Sequence, residues 1–167
     1  MITSRFSSIG SQPVLKEENI YQIIQTNVAY LSLRISNKVK INLGADTDEP
    51  IFSNISKPLF EWVIENLCKN AVDAMKENSG KIDIFIHAVK FPNHIIIDIE
   101  DNGKGMPANI VKKIFSPGFT TKKRGWGLGL TLVKRIIENY HKGKIFVLKS
   151  ELDVGTTFRI FLPKKAE

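Results

Sequence analysis

The stretch Glu65–Met75, ENLCKNAVDAM, constrains this chain more than any other. On a helix each residue turns about 100°. Asn66, Asn70, Asp73 and Glu77 then fall on one face. Phe60, Ile64, Leu67, Cys68, Ala71 and Met75 fall on the other face and form a buried stripe. A helix face of two amides and a carboxylate is unusual for plain surface. Carbonyl oxygens beside an acid suit a hard cation such as Mg²⁺, which takes oxygen ligands and retains water. Taken alone, the pattern also fits a solvated helix face.

At 167 residues the chain is the size of one ordinary domain, with room for a short tail. Its apolar fraction of 43% and charged fraction of 25% are those of a soluble globular protein. No apolar run approaches a membrane span, and the start, MITSRFSSIGSQP, has no signal-peptide core. Cys68 stands alone, which rules out an internal disulfide and points to a reducing compartment. The net charge of +7 fits nucleic acid, an acidic partner or a phosphate-bearing ligand. The lysines are dispersed and no basic stripe interleaves with aromatics, which argues against nucleic acid.

Residues 1–15 read as a linker or tail left from an upstream segment, and 16–167 as the domain. Ile20 to Ile35 have helical spacing, with Asn19 as cap. Val39–Leu43 alternate as a strand, followed by a polar loop closing at Pro50 and a short pairing segment at Ile51–Phe52. Ser56, with Pro58 in the first turn, starts the helix that carries the opening stretch. That helix is expected to end near Asn78–Gly80, with Gly80 as its left-handed cap. Lys81–Val89 and His94–Glu100 read as a hairpin, Ala108–Ile114 as a short helix, and Leu130–Tyr140 as a helix ending near Gly143. Strands at Lys144–Lys149 and Thr156–Leu162 complete the pattern.

Three further segments carry chemistry. Asp101 ends a strand and enters DNGKGMP, where Gly103 and Gly105 let the backbone approach a flat ring. A carboxylate there can accept from adenine's exocyclic amine, whereas guanine has a carbonyl at that place. Alone, the segment is also what a turn gives. Phe115–Gly129, FSPGFTTKKRGWGLG, offers Thr120, Thr121, Lys122, Lys123 and Arg124 and then Gly125, Gly127 and Gly129, leading into a helix. N–H groups at such a terminus favour phosphate. It is neither a Rossmann nor a P-loop fingerprint, and a flexible surface loop is the alternative. Thr156, opening the last strand, has a hydroxyl that can reach a base.

In order, ENLCKNAVDAM, DNGKGMP, IFSPGFTTK, GWGLGL and GTTFRIFLP resemble the N, G1, F, G2 and terminal Gly-Thr boxes of the catalytic ATP-binding domain of sensor histidine kinases. The likeness covers roughly Lys16 to Lys164. It implies the Bergerat fold of the wider ATPase and kinase superfamily: an α/β (α+β) two-layer sandwich with a mixed, mostly antiparallel sheet of about five strands packed on three helices. It implies ATP and Mg²⁺ as cofactors, with Asn70 holding the metal. Asn66 would contact phosphate or metal-bound water, and Asp101 the adenine amine. Gly103, Gly105 and Met106 would line the base. Phe115–Trp126 would form a lid packed by Phe119, with Thr121 and Lys122 near the phosphates. Gly125, Gly127 and Gly129 would cradle phosphate, with Leu128 and Leu130 beside them, and Thr156 would support the adenine. Asn70 and Lys122 would be the catalytic pair.

Two departures qualify the likeness. Asp73 stands where many relatives carry a phosphate-contacting lysine, so its place among the nucleotide-binding residues rests on a water-mediated or structural contact. Gyrase-like ATPases and anti-sigma-factor kinases have a general-base glutamate at the position of Asn66, and Glu65 is turned about 100° away from it. Water and serine benefit from a base, while a neutral histidine nitrogen attacks through a free lone pair. The reading is therefore a protein histidine kinase domain that transfers the ATP γ-phosphate to a histidine on a separate helical hairpin, with a response regulator receiver downstream. The alternatives are an ATPase switch or serine kinase of the same superfamily, or a non-catalytic docking module. His87, His94 and His141 read as structural. The domain is expected in the cytoplasm, and inner-membrane attachment of a parent chain is left open.

Overall fold

A computed structural model describes residues 12–119 and 129–164. The main sheet has five strands in the order β2-β4-β5-β7-β6: β2 (Val39–Ala45), β4 (Gly80–His87), β5 (His94–Asp101), β6 (Lys144–Glu151) and β7 (Gly155–Pro163). β2 and β4 are parallel, and every other pair is antiparallel. Alternation decides the faces. Ile82, Ile84 and Ile86 of β4, Ile95, Ile97 and Ile99 of β5, and Phe158, Ile160 and Leu162 of β7 all turn inward and are buried. Fully burying such an isoleucine stabilises the fold by about 1.5–3 kcal/mol relative to leaving it exposed.

Three helical segments cover that face: α1 (Ile20–Ser32), α2 (Lys57–Asp73) and α4 (Gly129–Arg135), the last continued by a wider π-type turn over Ile136–Tyr140. A short α3 (Ala108–Val111) precedes α4. The expected stripe is the buried one: Phe60, Ile64, Leu67, Cys68 and Ala71 on α2, and Met75 just past its end, are all at most 5% exposed. Burial pushes the Cys68 thiol up to about 12, so it packs as a small apolar group. Asn19 caps α1, its Oδ1 accepting the Gln22 N–H at 3.0 Å. No helix among the described residues is long and apolar enough to cross a membrane.

The sheet's outer face is polar and aromatic. Arg159 Nε and a terminal guanidinium nitrogen each donate to Asp98 at 2.8 Å, and His87 Nε2 lies 3.2 Å from the same carboxylate. Burial pushes Asp98 up, but the Arg159 bonds and charge outweigh it and hold the carboxyl below its usual range.

The structure corrects four expectations. α2 ends at Asp73, not near Gly80, so Glu77 is not on its polar face. Glu77 and Asn78 themselves take left-handed backbone (φ 56° and 49°) in a 3-10 turn, and Gly80 begins β4. The Ser56 side chain makes no cap bond. Finally, β1 (Lys16–Asn19) and β3 (Phe52–Ile55) form a separate two-stranded ribbon that reaches the end of β7, where Ser53 Oγ donates to the Pro163 carbonyl at 2.9 Å. The β1 segment, KEEN, is polar and depleted in strand formers, so only its distant partner makes it a strand.

Candidate nucleotide-binding site

Asp101 is the last residue of β5, on the inward face in line with Ile95, Ile97 and Ile99. It is only 8% exposed, and its Oδ1 accepts the Gly103 N–H at 2.9 Å. Burial raises its pKa, opposed by the N–H groups of Gly103 and Thr156, while Glu100 adds to the rise. The turn that follows is fastened on both sides. Lys104 N–H donates to the Ala74 carbonyl at the end of α2, at 2.8 Å. Asp153 N–H, from the β6–β7 turn, donates to the Lys104 carbonyl at 2.8 Å. Asn102 Oδ1 accepts the Lys81 N–H at 2.9 Å. Gly105 has φ +69°, and a Cβ there would overlap the Glu151 carbonyl oxygen, so no other residue fits without moving β6. Met106 is half-buried, and its N–H donates to Ser150 Oγ at 2.8 Å.

Across from this turn, α2 presents Asn66 and Asn70, both half-buried, with Asn70 Nδ2 donating to Asn66 Oδ1 at 3.3 Å. With its nitrogen so engaged, the Asn70 amide ends in an oxygen, the donor type a hard cation takes. Asp73 is exposed on the last turn of α2. Gly129 opens α4 against the same face: a Cβ on it would lie 3.0 Å from Asn66 Nδ2. The first turn of α4 is also tied to the preceding segment. Thr131 Oγ1 donates to the Phe115 carbonyl at 3.1 Å, and the Phe115 ring meets Phe158 edge-on at 6.2 Å. Leu130 and Phe119 pack partly buried against the core. Thr121, Lys122, Gly125, Gly127 and Leu128 lie outside the described residues, as do Lys123, Arg124 and Trp126.

The structure therefore brings Asp101, Gly103, Gly105, Met106 and Thr156 together at one end of the sheet, and Asn66, Asn70 and Gly129 together at the α2–α4 contact. A cleft of about 490 Å³ opens at the sheet end and continues onto the outer face. It is walled by Asp101 and Thr156 with Glu100, Lys149, Ser150 and Thr157, and does not include Asn66 or Asn70. One residue that sequence reasoning missed belongs here. Ser150 is tied to Thr156 across β6 and β7, their hydroxyl oxygens 2.7 Å apart. Away from this site, His141, read from the sequence as structural, is 2% exposed: its Nε2 accepts the N–H of Ser56 itself at 3.0 Å, while Nδ1 donates to the Ile136 carbonyl at 2.8 Å. Neither contact has a local sequence signal.

A sheet layered on three helices, with a buried acid ending an inner strand beside a pinned glycine turn, defines a nucleotide-binding domain that works without a P-loop. The chain belongs to the histidine kinase-, DNA gyrase B- and HSP90-like ATPase family, whose model matches residues 56–166, and ATP binding comes with that family. It is 37% identical over 145 residues to the sensor kinase CckA of Brucella abortus, covering 78% of this chain and 15% of that protein. It is 34% identical over 150 residues to sporulation kinase E of Bacillus subtilis, covering 89% of this chain and 20% of that one. The catalytic domain of histidine kinase ThkA superposes with a TM-score of 0.78 at 30% identity, over 90% of this chain and 95% of that domain. ThkA in complex with the response regulator protein TrrA matches with a TM-score of 0.76 at 25% identity, over 98% of this chain and 48% of that one. The chain thus spans a fifth or less of the length of CckA and sporulation kinase E.

Proposed function

We propose that this chain is the ATP- and Mg²⁺-binding catalytic domain of a two-component sensor histidine kinase. It transfers the γ-phosphate of ATP to a histidine on a separate helical-hairpin domain of its parent, which passes it to a response regulator receiver domain. Residues 16–167 form this domain, and 1–15 link it to an upstream segment. The domain works in the cytoplasm. The observation that carries the reading is the Asn66–Asn70 amide pair on α2, seated against Gly129 at the start of α4. It supplies neutral oxygen and N–H groups and no carboxylate base one turn before Asn70. That favours an acceptor with its own lone pair over water or serine. A receiver-domain partner is supported by the ThkA–TrrA complex.

In this reading Asp101 accepts the adenine amine and Thr156 contacts the ring, while Gly103, Gly105 and Met106 shape the base pocket. Asn70 holds Mg²⁺, and Asn66 positions phosphate or a metal-bound water. Bound there, Mg²⁺ supplies charge neutralisation at the phosphates. Lys122 and Thr121 add donors from the loop before α4, and Gly125, Gly127 and Gly129 leave backbone N–H groups open to phosphate, flanked by Leu128 and Leu130. Asp73 acts through water. Phosphoryl transfer depends mainly on positioning and charge, which these groups provide. The test adds a purified acceptor hairpin and ATP and looks for acid-labile phosphohistidine. Asn70→Ala should cut transfer by about 100-fold or more. Transfer at the wild-type rate would remove the metal assignment, and no transfer by wild type would remove the kinase reading.

A further inference from the structure

Ser150 lies on β6, and plain alternation would not bring it to the site. Val147 pairs with Phe158, so an unbroken ladder would set Lys149 opposite Thr156. A bulge between Val147 and Lys149 inserts one residue, and Ser150 takes that position instead. Bulges next to sites commonly re-aim a side chain in this way. The hydroxyl that arrives has three neighbours: Met106 N–H at 2.8 Å, Thr156 Oγ1 at 2.7 Å and the Gly155 carbonyl at 3.5 Å.

We propose that Ser150 is a positioning residue that sets the hydrogen-bond polarity of Thr156 and thereby the choice of purine. Ser150 has a single proton, and Met106 N–H occupies one of its lone pairs. Of its two acceptors, Thr156 Oγ1 is nearer than the Gly155 carbonyl by 0.8 Å (3.5 against 2.7 Å). Placing the proton on the shorter contact makes Thr156 the acceptor and leaves it to donate its own. The chain runs from Met106 N–H through Ser150 O–H to Thr156 O–H. Asp101, the residue paired with Thr156 in the sheet, is an acceptor. The site then offers one acceptor and one donor side by side. Adenine matches this with its amine hydrogen and the bare ring nitrogen next to it. Guanine and hypoxanthine present a carbonyl and a ring N–H, the reverse on both counts.

This inference rests on the ATP reading above, and the test separates the two. The full 167-residue chain is titrated by calorimetry with Mg-ATP and with Mg-ITP, whose base is hypoxanthine. Ser150→Ala should weaken ATP by about tenfold, the value of one hydrogen bond in a buried site, and narrow the ATP-to-ITP ratio by as much. Ser150→Thr should restore the ratio. In a Thr156→Ala background, Ser150→Ala should leave the ratio where Thr156→Ala put it. If Ser150→Ala unfolds, Ser150→Cys, a weaker donor of similar size, is read with the same expectation. An unchanged ratio, equal losses for both nucleotides, or a further loss in the Thr156→Ala background would overturn the proposal. Wild type binding neither nucleotide would instead overturn the ATP reading on which it stands.

Discussion

The Asp101 carboxyl is held inside the fold against the cost of burial. Its ordinary value of 3.8 is raised, chiefly by desolvation, and two backbone N–H groups offset only part of that. The folded chain holds this proton more tightly than the unfolded one. Stability therefore falls as pH rises from 3.8 through the raised value, and the deficit is constant above it. A group retained at a cost to stability fits a role in binding. Asp101→Asn keeps the shape but replaces one acceptor oxygen with a donor. It should weaken ATP binding by about 10–100-fold while thermal unfolding shifts by only a few degrees, since a bond to a charged group is worth about 1.5–3 kcal/mol. Wild-type affinity in a titration of that variant would remove Asp101 from the base site. Asp101, Gly105 and Thr156 were legible because each sits in a short run whose residue types carry the meaning. Ser150 was not, because a bulge decides which β6 side chain faces Thr156.

At the scale of elements, the N-terminus of α2 is held by the far end of the helical layer. His141, just past the π-type turn, accepts the Ser56 N–H and donates to the Ile136 carbonyl, an arrangement only the neutral ring can make. Burial, partly offset by the Ile136 bond, lowers its pKa below 6.5. The unfolded chain binds the proton first as pH falls, so this contribution is fully present above 6.5 and is lost as pH falls from there through the lowered folded value. Unfolding free energy measured by denaturant should therefore drop below pH 6.5 with an added slope of up to about 1.4 kcal/mol per pH unit, one proton's worth. His141→Gln should lack that slope and start lower by about 1–3 kcal/mol. Parallel pH profiles for the two proteins would rule out the clamp. Most elements were readable from periodicity, as the α2 stripe and the β4–β5 hairpin show. What stayed hidden depends on distant partners: strand β1, and the amide 85 residues away that His141 accepts.

For the whole molecule, the kinase reading proposed above raises the question of which histidine could receive the phosphoryl group. The chain has three histidines. His141 has both ring nitrogens engaged inside the helical layer. His87 is on the outer face of β4, beside Asp98. His94 begins β5 against Phe161, and Asp101 ends the same strand, so the two lie roughly 23 Å apart at about 3.3 Å per residue. A reacting nitrogen must come within about 3–3.5 Å of the phosphorus. His94 therefore starts far from the base site, and in the kinase reading proposed above the acceptor histidine is brought by another domain. The 167-residue chain should accordingly be stabilised by Mg-ATP, by about 2.7 kcal/mol at a hundredfold excess over Kd, and yet leave its own histidines unlabelled by γ-labelled ATP. Acid-labile label appearing on this chain alone, at a rate independent of its concentration, would mean that one of the three reaches the nucleotide within a single molecule, and the division of labour argued from the fold would fail.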